Sequence, residues 1–166
     1  MALVTNEITY LQLINMFEVF ATDHANVNSF GNGAFAQLTE SLEEGDWDYN
    51  DYVKLWVADN VPVVDFDDGQ VTYNFQIFLM DVQHDKDENI KFEAQIKSNL
   101  IYTYKDFLAF LKVEPKILGN DVRIFSLGSS SGVSFTQRFD DNLVGVVFDI
   151  SIVQPVKYNK CEIPLA

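Results

Sequence analysis

The chain has 166 residues, with 25 acidic side chains against 11 basic ones, a formal net charge of -14 and a pI near 4.2. So few cations disfavour direct binding to a phosphate backbone, which needs clustered Lys and Arg. Hydrophobic residues make up 48%, with 14 Phe and 7 Tyr against only 8 Gly and 4 Pro, a composition that fills the core of one domain and excludes disordered or collagen-like chains.

From Thr5 to about Thr22 the residues Tyr10, Leu13, Ile14, Phe17, Phe20 and Ala21 recur at helical spacing, with Gln12, Asn15 and Glu18 on the other side, which predicts an amphipathic helix. Thr5 is the expected N-cap. The stretch HANVNSFGNG, His24 to Gly33, ends that helix with turn residues. A first strand is expected over Phe30 to Leu38, then a solvated acidic loop, Glu40 to Asp51, with six carboxylates and no base.

Tyr52 to Ala58 and Val71 to Val82 alternate apolar and polar residues as strands do. Between them VPVVDFDDG carries the Asp68-Gly69 pair of a hairpin turn. Asn89 to Lys112 sets Ile90, Ala94, Ile101, Tyr104, Leu108 and Leu111 on one stripe of a longer helix, which Pro115 stops from continuing. Three more strands are expected at Val122 to Leu127, Val133 to Phe139 and Leu143 to Gln154. The predicted order is α-β-β-β-α-β-β-β: an α+β fold, a mostly antiparallel sheet with two helices packed on one face. Residues 1 to 154 form the domain, and 155 to 166 an extended C-terminal arm.

Motifs with chemistry are scarce. His24 and His84 belong to no H-x-x-x-H pattern, so each reads as a polar loop residue. Asp65, Asp67 and Asp68 resemble a calcium loop only superficially, because Gln76 stands where the closing glutamate belongs. Gly128 to Gly132, GSSSG, lacks the lysine of a phosphate loop and leads into a strand, so it reads as a hairpin loop. No catalytic residue, cofactor or metal is expected. Cys161 is a lone cysteine, the chain opens without a signal-peptide pattern, and no apolar run approaches the ~18 residues of a membrane span. The expectation is a soluble protein, intracellular when made. The surplus aromatics Trp47, Tyr49 and Tyr52 in or beside the acidic loop, and Phe135 and Phe139 flanking Arg138 just before Asp140, have the composition of an interface. Packing of the same rings in the core is the other reading.

Three segments are familiar: HANVNSFGNG, the strand-turn-helix run YNFQIFLMDVQHDKDENIKFEAQIKSNLIYTYKDFLAFL, and FTQRFDDNLVGVVFDISIVQPVKYNKCEIP. Within the last, the specific parts are F-T-x-R-F-x-D-x-L-x-G-V, Phe135 to Val146, and N-x-C-x-I-P, Asn159 to Pro164. Over nearly its whole length the chain resembles the neck and tail-completion proteins of tailed bacteriophages, in particular those of crAss-like and related Bacteroidetes phages, and is similar in layout to the tail-terminator fold. The resemblance implies a structural virion protein without catalytic residues. It would form a ring of six or twelve copies in the head-tail connector, between portal or adaptor and tail, with DNA passing through unbound and no membrane involved. In such a ring the acidic residues Glu43, Glu44, Asp46, Asp48, Asp65, Asp67 and Asp68 are expected to face the lumen or a neighbouring ring. Two alternatives remain open: a small-ligand-binding module or enzyme on a curved antiparallel sheet, and an acidic adaptor that mimics DNA.

Overall fold

The computed structural model describes residues 8–43, 53–59, 62–65, 69–83, 90–113, 123–125, 133–138 and 142–155. The first helix, α1 (Tyr10–Asp23), buries Leu13, Ile14, Met16, Phe17, Phe20 and Ala21. Its N-cap is Thr9 rather than Thr5. The Gln12 backbone N–H donates to Thr9 Oγ1 at 3.2 Å and the Thr9 N–H to Gln12 Oε1 at 2.7 Å, a reciprocal capping box that only a Thr three residues before Gln can form.

The segment expected to be one strand divides in two. β1 (Ser29–Asn32) is followed by α2 (Phe35–Glu43), so the predicted order gains a helix and the acidic stretch begins inside it. The break is at Gly33, whose φ of 143° is open chiefly to glycine. The Ala34 N–H then donates to Gln37 Oε1 at 3.0 Å, satisfying one of the amides that a starting helix leaves unpaired.

β2 (Lys54–Asp59), β3 (Val63–Asp65) and β4 (Gln70–Gln83) precede the long helix α3 (Ile90–Val113). β5 (Arg123–Phe125), β6 (Val133–Arg138) and β7 (Asn142–Pro155) follow it. All seven strands form one sheet, ordered β1-β2-β4-β7-β5, with β3 also on β4 and β6 also on β7. β4 and β7 pair antiparallel from Gln70↔Pro155 to Gln83↔Asn142. The outer edge of β4 is shared by β2 and β3, and that of β7 by β6 and β5. Gly69, at φ 60°, supplies the left-handed turn residue just before β4.

Among the described strands the pair β1–β2 alone is parallel. Parallel neighbours need a connection that crosses over the sheet, and α2 lies on that crossover. α1 and α3 pack on one face, against Leu55, Val57, Phe75, Ile77, Leu79, Val144, Val146, Phe148, Ile150 and Ile152. Leu38 of α2 packs on the opposite face with Trp56, Ala58, Phe78, Met80, Val82 and Leu143. The two-helix face is built around aromatic edges: Phe17 meets Phe75 at 5.1 Å and Phe107 at 5.4 Å, and Phe20 meets Phe107 at 5.1 Å between centroids.

Candidate interaction face

The face carrying α2 is the less completely covered one. Its register strings a single cross-strand row over five strands: Gly31↔Trp56, Trp56↔Phe78, Phe78↔Val147 and Val147↔Val133. Facing residues in such a row touch because directly opposed Cβ atoms stand only about 5 Å apart. Gly31 is required there, since a Cβ would fall 2.4 Å from Trp56 Cε3. Phe35, at the start of α2, stacks on Phe78 with ring centroids 5.5 Å apart, yet remains 54% exposed. Val133, at the far end of the row, is 63% exposed. In the adjacent row the Phe135 ring covers Gly145.

Towards the other end of β4 and β7 the same face turns polar. Gln76 Nε2 donates to Asp149 Oδ1 at 3.1 Å, and the Ser151 hydroxyl donates to Asn74 Oδ1 at 2.7 Å. Among the described side chains of β2, β4, β6 and β7 on this face, Lys54 and Asp149 are the charged ones. Lys54 Nζ stands 5.8 Å from the Trp56 ring centroid, within cation–π range, and Asp149 accepts the Gln76 bond. Trp56 Nε1 is buried with no hydrogen-bond partner, the kind of orphaned donor that calls for explanation.

His24, expected as a polar loop residue, is the C-cap of α1 at the start of the loop. Its backbone N–H donates to the Phe20 carbonyl at 2.9 Å. Its Nδ1 accepts from the Asn26 N–H at 3.3 Å, and its Nε2 lies 3.2 Å from Asp106 Oδ2 on α3. With Nδ1 accepting, Nε2 carries the proton towards Asp106. The pair ties α1 to α3 and lies on the side of the sheet away from the α2 face. Among the described residues no three His, Cys, Asp or Glu side chains converge as metal ligands.

Of the residues singled out from sequence, Phe135 is half-buried on the exposed face and Arg138 ends β6 opposite Asn142. Glu43 ends α2 and Asp65 ends β3. Trp47, Tyr49, Tyr52, Phe139, Asp140, Glu44, Asp46, Asp48, Asp67 and Asp68 lie outside the described residues, as do His84, Cys161, the GSSSG segment and residues 156–166. Sequence reasoning missed Phe35, Trp56, Val133 and Val147 as one surface. Trp56 and Val57 do alternate in the sequence, but which neighbours Trp56 meets is set by register across strands far apart in the chain.

Among the described residues no helix is long and apolar enough to cross a membrane. Comparison of the chain with protein-family models and with curated proteins finds no match in either.

Proposed function

We propose that the chain is a structural subunit of a tailed-phage head-tail connector, of the tail-terminator or tail-completion type. Copies of it assemble into a ring of six or twelve between portal or adaptor and tail, around the DNA channel, and its location is the virion. The observation that supports this reading is the α2 face of the sheet, where exposed Phe35 and Val133 continue a buried apolar row into solvent. Exposed apolar surface rimmed by polar residues is characteristic of contact sites.

Charge argues in the same direction. Copies that each carry -14 repel one another, and the repulsion is smallest where charged side chains are fewest. The strand side chains of the α2 face meet that condition, with Lys54 and Asp149 both engaged locally. In this reading Arg138 joins a subunit contact, and the acidic positions from Glu43 to Asp48 with Asp65, Asp67 and Asp68 face the channel or a basic neighbour. An acidic wall repels passing phosphates and keeps DNA from sticking.

Electron microscopy of the concentrated full-length chain tests the reading. Closed rings with an axial opening are the expected result; a field of single small particles at every concentration contradicts it. Phe35→Ser with Val133→Ser is expected to reduce the number of rings while leaving the fold intact, because both side chains are more than half exposed.

A further inference from the structure

The helices do not share the chain's acidity evenly. α3 carries Lys91, Lys97, Lys105 and Lys112 against Glu93 and Asp106, four cations to two anions, in a chain whose net charge is -14. α2 carries Glu40 and Glu43 and no base. These two helices lie on opposite faces of the sheet, the lysine-bearing one beside α1, whose Glu18 and Asp23 are its own charges.

Local pairing sharpens the contrast. Lys97 is bonded to Glu93, and Asp106 is turned to His24. Lys105 and Lys112 stand exposed. At about 100° per residue, Ile101, Tyr102, Lys105, Ala109 and Lys112 fall within an arc of about 100°, along roughly 16 Å of helix. Ile101 is 45% and Tyr102 61% exposed, and Lys105 Nζ sits 5.0 Å from the Tyr102 ring centroid. An exposed aliphatic side chain and an aromatic ring at one end of the stripe, with Lys105 beside the ring and Lys112 at the other end, make a surface that combines apolar contact with positive charge.

We propose that this stripe of α3 docks a second copy of the chain, and that it is received on the α2 side of that neighbour's sheet. This rests on the ring reading above and names its subunit contact. The two surfaces match in kind: Ile101 and Tyr102 meet the apolar edge marked by Phe35, and Lys105 and Lys112 meet the acidic helix bearing exposed Glu40. Contact of α3 with α3 would set lysine against lysine, and contact of α2 with α2 would set carboxylate against carboxylate. Two different surfaces on opposite faces make the contact head-to-tail, the type that closes into rings when the rotation allows.

The test is the mass of the full chain against concentration, by light scattering, for the parent, for Lys105→Glu with Lys112→Glu, and for that variant further carrying Glu40→Lys. The first variant is expected to raise the half-assembly concentration by roughly tenfold, as two exposed cations turned to anions beside an acidic helix should. The charge swap at Glu40 is expected to restore part of that loss. Raising salt from about 0.1 M to about 1 M, which shortens the Debye length from about 10 to about 3 Å, should narrow the gap between the parent and the first variant. Tyr102→Ala should weaken assembly without salt dependence of its own. A parent that assembles while both charge variants behave as it does overturns this contact and leaves the ring standing. A parent that never assembles overturns both.

Discussion

Gly145 shows how one missing methyl group holds the exposed face in shape. A Cβ built there falls 2.2 Å from Cζ of Phe135 and within 2.9 Å of both its Cε atoms, so the ring must swing away from β7 to make room. Gly145→Ala is expected to cost about 1 to 3 kcal/mol as overpacking. Phe135→Ala in the same chain should remove most of that penalty, because the two changes share one contact. Urea unfolding of the two single variants and the double one measures the coupling, and strictly additive midpoints would count against the packing. Phe135, singled out from sequence as an interface residue, therefore has a structural duty whatever it meets outside the subunit.

At the scale of elements, legibility followed length and periodicity. β4, β7 and α3 are 14, 14 and 24 residues long, and the alternation of β4 up to Ile77 and the stripe of α3 give local patterns that tertiary burial matches. α2 was hidden because neither of its start signals is written in the usual residues. Ala34 occupies the cap position without a side-chain acceptor, and the compensating bond comes from Gln37 Oε1. Gly33→Ala is expected to destabilise by about 1 to 3 kcal/mol, since it forces a non-glycine residue to φ 143° and sets a Cβ 2.1 Å from Gln37 Oε1. Thermal unfolding would show it, and an unchanged midpoint would mean that the turn relaxes freely. The cross-strand row was unreadable for a different reason: Gly31, Trp56, Phe78, Val147 and Val133 are neighbours only through four strand registers, and no local window contains them. Hydrogen exchange is expected to be slowest in β4 and β7, each paired on both edges, and fastest in the short outer strands β1 and β5. Equal protection across the sheet would contradict that order.

The described residues form a sheet with α1 and the lysine-bearing α3 on one side and the acidic α2 on the other, within a strongly acidic chain. Overall acidity opposes self-association at long range, whereas the match between the α3 lysines and α2 favours it at contact, so assembly should depend on ionic strength through both terms. Replacing Glu44, Asp46 and Asp48 by Gln or Asn is expected to leave folding unchanged and, in assembled particles, to slow passage of DNA, read as lower DNA delivery. Unaltered delivery would remove those residues from the channel wall. Closed association of the chain with its own copies is read from native mass measurement of the full chain over rising concentration. The expected result is a step from the 18.9 kDa monomer to a single species of six or twelve copies that grows no further, and a chain that keeps its monomer mass throughout would contradict closed association.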